Sequence, residues 1–321
     1  APTLDYLLQV TTKHRKSLIN DLALDDTQLT QLDESNRTYQ KKYASGHYGY
    51  ALLHFRKKTT PKWRLRILDK NQTPELFDLF KKTFNHDMSP AFWQWKYGSN
   101  SGREIGVWQE NKLIAHYGGI NRKILFFGQP QVAVQIGDVM VDASVRGMLT
   151  RKGPFFLMGA TFPERFVGYG KPYLVGFGFP NERAMKVAER LGLYAEVGHM
   201  VEYSWKPLSK FPLWGTRLNY IDRNQMNFAA TAIDECWQHM AADLQEAIVG
   251  VRDWKYLQHR YLEHPNQQYR IVLVKNRFSG RARGILILRF DPEGCEIVDL
   301  IASLAEIPLL IIHARRLAGI H

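Results

Sequence analysis

The chain has 321 residues, of which 45% are hydrophobic and 23% charged, so it has room for about two folded domains and is not disordered. No apolar run is long enough to span a bilayer, and the only two cysteines exclude a disulfide framework and a cysteine zinc site, which favours a cytoplasmic protein without a metal. The net charge of +12 favours a phosphate-bearing ligand or nucleic acid as a partner, although a solvated basic surface explains most of the basic clusters.

The N-terminal segment, residues 1–61, carries few clear signals. Residues 18–32 are acidic and leucine-rich, which predicts a helix. Tyr39–Tyr43 interleaves aromatic and basic residues; such a pattern can stack on nucleic-acid bases, but a strand or turn over a core is the more common structure. Residues 50–55 predict a strand. We expect this segment to pack on, or to complete, the sheet in the second half of the chain.

The pattern becomes regular from Trp63 onwards. A strand is predicted at residues 65–67, and Thr73-Pro74 and Ser89-Pro90 have the residue types that begin helices. A series of strands follows, predicted at residues 105–108, 113–121, 123–127, 131–136 and 138–141. A loop that ends at Gly153 and a helix over residues 155–166 complete this stretch.

A strand followed at once by a helix comes next in the chain. Residues 174–179 are an apolar, aromatic run typical of a buried strand, Asn181 can cap the new helix, and Gly192 can end it. Such a unit places helix amides at the carboxyl edge of a sheet, where anionic ligands commonly bind. The alternation over residues 198–205 predicts a final strand.

The helix after Asn181 resembles the last conserved helix of the GNAT superfamily, the acetyl-CoA-dependent N-acyltransferases. Asn181-x-x-Ala184, followed by residues 191–193, has the spacing of that family's N-x-x-A-x-x-x-Y-x-x-x-G-F pattern. Two positions differ, because Ala188 stands at the tyrosine and Leu193 at the phenylalanine. The order of predicted elements over residues 63–205 is also the GNAT order, which implies an α+β fold in three layers (α/β/α) with a mixed, mostly antiparallel sheet between helices.

The resemblance implies that acetyl-CoA is the co-substrate and that a loop after the strand ending at Val141 binds its pyrophosphate. Val141 to Gly147 corresponds to the family's V-x-P-x-x-R-G pattern, with Ala143 at the proline position, but the glycines that should follow Gly147 are replaced by Met148-Leu149-Thr150. Arg151-Lys152-Gly153 would complete a rearranged loop. The predicted coenzyme-binding residues are Met140, Val141, Arg146, Gly147, Met148, Leu149, Thr150, Arg151, Lys152, Gly153, Asn181 and Ala184.

The resemblance also defines what the chemistry needs. Acyl transfer to an amine requires a base for the ammonium proton, amides for the developing oxyanion and an acid for the leaving group. The amides would come from residues 139–141, in a strand that the resemblance implies separates at its end from the strand at residues 174–179. Because Ala188 replaces the family's tyrosine, the candidate acids are Tyr173 and Tyr194, and the candidate bases by position are Asp138 and Glu164.

The second half of the chain repeats the first in a weak form. The similar pairs, which occur in the same order, are residues 92–100 with 256–264, 105–125 with 269–288, and 136–140 with 297–301. These pairs predict a duplicated, degenerate GNAT-like domain that lacks the phosphate loop and the Asn-x-x-Ala helix and ends with a helix near residues 308–317. The predicted domains are therefore residues 1–61, 62–206 and 207–321.

Three functions remain open from the sequence. The first is an N-acyltransferase that moves an acetyl or other acyl group from acyl-CoA to a small-molecule or peptide amine. The second resembles the FemABX transferases, which have tandem GNAT domains and use aminoacyl-tRNA; the repeat and the basic charge favour it. The third is a non-catalytic binding protein on a GNAT scaffold, which the missing glycines and tyrosine favour.

Overall fold

The computed structural model describes residues 8–10, 12–16, 25–45, 62–68, 73–98, 102–145, 153–209, 213–222 and 226–320. The chain divides into two compact units, Ala1–Thr60 and Pro61–His321. Among the helices described, none combines the length and the apolarity needed to cross a membrane.

The N-terminal unit contains one long helix, α1 (Asp26–Ala44). The Asp25 side chain accepts from the Gln28 amide at 2.7 Å, and the Gln28 side chain accepts from the Asp25 amide at 3.0 Å, a reciprocal cap that begins the helix. Tyr39–Tyr43 lies inside α1, so the prediction of a strand or turn there was wrong. The helix that begins at the Asp25–Gln28 cap continues through these residues. The strand predicted at residues 50–55 lies outside the described residues.

The larger unit contains a six-stranded mixed sheet. Its first five strands are β1 (Arg64–Ile67), β2 (Gly102–Gln109), β3 (Lys112–Phe126), β4 (Gln129–Val141) and β5 (Val175–Gly178). They lie in the order β1-β2-β3-β4-β5, and every neighbouring pair is antiparallel except β4 with β5, which is parallel. The prediction of a mixed, mostly antiparallel sheet is confirmed.

Helices cover both faces of this sheet. Helices α2 (Thr73–Phe84) and α3 (Pro90–Tyr97) share a core with one face, and α4 (Pro154–Phe166) shares a core with the other. Ser89 caps α3 as predicted, because its hydroxyl accepts from the Phe92 amide at 3.1 Å. The three layers predicted for the GNAT-like fold are therefore present.

Helix α5 (Glu182–Arg190) follows β5, and Asn181 caps it by accepting from the Ala184 amide at 2.9 Å. Gly192 ends it with a φ of 71°, a conformation that glycine adopts without strain. The strand predicted at residues 198–205 is not formed, and that prediction was wrong. Alternation gives a segment one apolar face, but a strand also needs a neighbour for its backbone groups, and this segment has none among the described residues.

The second half of the chain forms a four-stranded antiparallel sheet with its own helices. The elements are β6 (Thr216–Ile221), α6 (Met226–Asp243), β7 (Ile248–Gly250), α7 (Trp254–Leu257, continued by a π-helical turn to Leu262), β8 (Arg270–Asn276), β9 (Ala282–Asp291), β10 (Gly294–Ile301) and α8 (Ile307–Ala318). The sheet order β10-β9-β8-β6 matches β4-β3-β2-β1 of the first sheet. The predicted final helix is confirmed as α8.

Strand β7 does not join the second sheet. It pairs with Ile124–Phe126 of β3, beyond the part of β3 that β2 covers, and so belongs to the first sheet. Leu125 of β3 and Val249 of β7 both pack against the core of the second sheet. The two halves are therefore joined by backbone pairing as well as by side-chain packing.

Candidate active site

Strands β4 and β5 pair over only four residues and then separate. Their parallel register runs from Ala133 opposite Val175 to Ile136 opposite Gly178. β4 continues to Val141, whereas β5 ends at Gly178 and the chain turns into α5. A gap between adjacent strands therefore opens at the carboxyl edge of the sheet, as the sequence predicted for strands that part at their ends.

One amide of β4 is directed to this gap by the strand geometry. The Asp142 amide donates to the Ile114 carbonyl of β3 at 2.8 Å. Backbone donors alternate in direction along a regular strand, so the amide of Val141 points away from β3 and towards the side on which β5 has ended. It is the kind of main-chain donor that an oxyanion or an extended amide ligand needs.

Asp138 lies on a bulge in β4 beside the gap. Its φ is 49°, and the pairing with β3 shifts there, because Gly118 pairs with Gly137 and His116 with Met140. A left-handed aspartate is uncommon and re-aims the side chain out of the regular alternation. The carboxylate points to the α3 side, where Lys96 Nζ lies 2.5 Å from Oδ2 and the Tyr97 hydroxyl donates to Oδ2 at 2.6 Å.

The groups around Asp138 are almost fully removed from solvent. The exposed fraction is 11% for the Asp138 side chain and 15% for Lys96. Burial, and next the nearby carboxylate, raises the pKa of Tyr97 well above its ordinary value, so Tyr97 remains a hydrogen-bond donor. His116, fully buried, donates from Nδ1 to the Asp138 carbonyl at 2.7 Å, and its Nε2 lies 3.1 Å from Glu104 Oε1. The cluster fixes both the backbone and the carboxylate of Asp138.

Tyr194 lies on the opposite, α4 side of the sheet. Its hydroxyl is 2.6 Å from that of Tyr117, the β3 residue that stands opposite the bulge. Burial raises the pKa of both tyrosines, so both hydroxyls are protonated at neutral pH. Tyr194 is therefore at the level of the bulge and able to donate a proton.

Tyr173 lies at the other end of β5. Its hydroxyl donates to Asn121 Oδ1 at 2.5 Å, and the next residue pairs through its amide with the Val132 carbonyl. This position precedes the paired segment, whereas the gap follows it. The structure thus places Asp138 on the α3 side of the sheet and Tyr194 on the α4 side, both at the level of the bulge, and Tyr173 at the opposite end of β5.

The predicted coenzyme-binding residues are described only in part. Arg146, Gly147, Met148, Leu149, Thr150, Arg151 and Lys152 lie outside the described residues. Met140 is buried in the core on the α3 side, and Val141 contributes its amide to the gap. Gly153 precedes α4 and offers it no side-chain cap. Asn181 and Ala184 form the cap of α5, and Glu164, the other candidate base, lies in the last turn of α4.

Lys96 and Tyr97 were not identified as site residues from the sequence. A signal was present in the internal repeat, which aligns Tyr97 with Tyr261 and Asp138 with Asp299. In the second sheet the Tyr261 hydroxyl donates to Asp299 Oδ2 at 2.8 Å, and β10 has a register shift beside Asp299. Aligned tyrosines and aspartates make the same contact in both sheets.

The second cluster differs in its cation and in its setting. Arg252 Nε donates to Asp299 Oδ1 at 2.8 Å, where the first sheet has Lys96. Within the described residues, only two follow α8 and no strand counterpart of β5 lies beside β10, so no gap of the β4–β5 kind opens there. No group of three or more His, Cys, Asp or Glu side chains in the described part of the chain is arranged to hold a metal ion.

Comparison with known proteins gives the following matches. A family model for the acetyltransferase (GNAT) domain matches residues 64–155, from β1 into the start of α4. None of the curated proteins compared with this sequence matches it.

Two solved structures share the fold. A conserved protein of Enterococcus faecalis V583, described as a probable N-acyltransferase, has a TM-score of 0.56 and 15% identity over 81% of this chain and 63% of its own. A GCN5-related N-acetyltransferase from Kribbella flavida has a TM-score of 0.51 and 13% identity over 80% of this chain and 61% of its own. The chain thus spans about three-fifths of the length of both. Residues 64–155 therefore match the acetyltransferase (GNAT) domain, and the chain shares the fold of these two structures.

Proposed function

We propose that this protein is an N-acyltransferase that moves an acetyl or other acyl group from acyl-CoA to a primary amine. The observation that carries the proposal is the short parallel pairing of β4 and β5, which ends at Ile136 and Gly178 while β4 continues. An extended ligand with amide groups, such as the pantetheine arm of coenzyme A, can enter this gap and bond to the strand edge as a missing strand would.

The coenzyme's phosphates would lie at the start of α4. Residues 146–152, which include Arg146, Arg151 and Lys152, would supply amides and positive charge, and the uncapped first turn of α4 adds its dipole. A phosphate group that binds there leaves the thioester beside the amide of Val141.

Asp138 is the proposed base and Tyr194 the proposed acid. The amine nitrogen attacks the thioester carbonyl carbon, the carbonyl oxygen takes the developing charge and bonds to the Val141 amide, and the ammonium proton passes through water to Asp138. The carbon–sulfur bond then breaks, and the sulfur takes a proton from Tyr194. The products are the amide and free coenzyme A. Tyr173 is the other candidate acid, and it lies at the paired end of β5, away from the gap.

The proposed acceptor is a small molecule or a peptide with a primary amine. A tRNA-dependent transferase is the alternative, and one observation favours it: the second sheet repeats the strand order of the first and the Tyr–Asp contact at its aligned positions, as a tandem transferase would. A non-catalytic scaffold is the third hypothesis, favoured by the altered phosphate loop and by Ala188.

Ligand binding and turnover together test these alternatives. Acetyl-CoA at 100 times its Kd is expected to stabilise the fold by about 2.7 kcal/mol, seen as a higher Tm, and to release free thiol when a panel of amines (a lysine peptide, spermidine and an amino sugar) is added. Binding without thiol release or acylated product from any amine would favour the scaffold. No acetyl-CoA binding, together with salt-sensitive binding of tRNA, would refute the acyl-CoA proposal and favour the alternative.

A further inference from the structure

The segment over residues 195–205 has no backbone partner in the part of the chain that the structure describes. It also exposes large apolar side chains: Val197, Val201, Tyr203 and Trp205, which are 100%, 67%, 72% and 47% exposed, share one face with the polar His199, and Met200, 82% exposed, lies on the other face. The intervening positions are mostly small or polar. A solvated loop does not need such a pattern, whereas a strand with one covered face does.

The segment is held at both ends. On its N-terminal side the Leu193 amide donates to the Ala188 carbonyl of α5. On its C-terminal side the Leu208 amide donates to the Arg315 carbonyl of α8, and the Arg315 side chain donates to the Lys206 carbonyl. Between these anchors the backbone of residues 195–205 makes no hydrogen bond to another described backbone group.

The same molecule has an open sheet edge that fits such a segment. β5 is the last strand of its sheet, and no described strand lies on its outer side. Residues 176–178 are exposed, and Phe177 and Phe179 are 38% and 65% exposed. An exposed edge with apolar side chains and no proline or charge within it is a template for strand addition.

We propose that the protein forms a two-fold dimer in which residues 197–205 of each copy add as a strand to the outer edge of β5 in the other copy. A second copy is the occupant that the structure favours, because one chain supplies both the open edge and the unpaired apolar segment, and a two-fold axis satisfies both sets at once. The proposal does not depend on the acyltransferase activity. The added strand would also support β5 along its free side and so hold the gap beside β4 open.

Two substitutions give a matched test. Val201→Asp places a charge on the apolar face of the segment, and Ser204→Asp places the same charge on the other face. Both positions are exposed in a single chain, so neither change is expected to unfold it. Light scattering during size exclusion should give the unaltered protein a mass near twice 37.2 kDa, the S204D variant the same mass, and the V201D variant half of it.

Hydrogen exchange locates the contact. Amides of residues 175–179 and 197–205 should be protected in the dimer and should lose that protection in the V201D variant. A single-chain mass for the unaltered protein at all concentrations would overturn the proposal. It would do so whether hydrogen exchange then showed residues 197–205 to be protected or unprotected. A V201D variant that remains a dimer would overturn it as well.

Discussion

The catalytic assignment of Asp138 can be separated from its structural role because the chain contains a matched aspartate. Asp138 and Asp299 are each about one-tenth exposed, each accepts a hydrogen bond from a tyrosine, and each pairs with a buried or half-buried cation. Only Asp138 lies beside the gap between β4 and β5. We predict that Asp138→Asn and Asp299→Asn have similar effects on stability and different effects on turnover.

The expected sizes follow from the contacts. Asparagine keeps an acceptor for the tyrosine but leaves the cation without its charge partner, which should lower the free energy of unfolding by about 3 kcal/mol in each variant. For a domain with a stability of only ~5 kcal/mol, the remaining ~2 kcal/mol keeps ~97% of the molecules folded. Instability alone therefore removes a few per cent of the activity. Loss of a general base should instead lower kcat/KM by about 10²- to 10⁴-fold in the D138N variant only.

The assay measures thiol release from acetyl-CoA with the best amine of the panel, alongside urea unfolding and calorimetric binding of acetyl-CoA. D138N should bind acetyl-CoA with an unchanged Kd and turn it over slowly, whereas D299N should remain within about twofold of the unaltered protein. Equal losses of kcat/KM in the two variants would show that Asp138 acts through stability. A fully active D138N variant would remove it from the mechanism.

Three further predictions concern the fold around the site. In Gly119→Ala the added Cβ would lie 2.5 Å from the Phe162 ring, so urea unfolding should show a loss of about 1–3 kcal/mol, whereas Gly215→Ala, which meets open space, should be near neutral. Asn181→Ala removes the cap of α5 and should lower stability by about 1 kcal/mol, and Asn181→Ser should restore most of it. Burial, with two nearby arginines, lowers the pKa of His313 to about 4. The stability contributed by neutral His313 should therefore be complete above the unfolded pKa of about 6.5 and be lost as the pH falls towards 4. Unfolding measured against pH should show this loss in the unaltered protein and not in the His313→Gln variant.

Each of these predictions has an outcome that contradicts it. A neutral Gly119→Ala would mean that the α4 packing yields at no cost in stability. If Asn181→Ser were as unstable as Asn181→Ala, the side-chain oxygen would not be the stabilising group. A His313→Gln variant with the same pH dependence as the unaltered protein would assign that dependence to other groups.

Local signals explain what the sequence predicted well. Caps such as Ser89 and Asn181 are set by residues within one helical turn, so they could be read without knowledge of the fold. The internal repeat was readable for a different reason: Tyr97 and Asp138 are separated by 41 residues, but the same two residue types recur together at 261 and 299. The repeat thus indicated the contact between Tyr97 and Asp138 although the two residues are far apart in the chain.

What the sequence did not predict depends on partners distant in the chain. Residues 198–205 alternate as a strand does, but whether a strand forms depends on a neighbouring edge that the segment itself does not encode. Lys96 was not recognised because its role is set by the bulge at Asp138, where an uncommon φ turns the carboxylate towards α3. The gap between β4 and β5 was predicted only through the family resemblance, since no residue type marks the place where two strands separate.

The pairing of β7 with β3 has a consequence for how this protein can be divided. A fragment that ended near residue 206 would lose the three residues that cover one edge of Ile124–Phe126, and Leu125 would be parted from the neighbouring core. Excision of either half therefore leaves backbone donors and acceptors exposed on an apolar surface. The two repeats are therefore not independent modules that can be exchanged between relatives. A recombination event at their junction would have to keep β7 together with the first sheet.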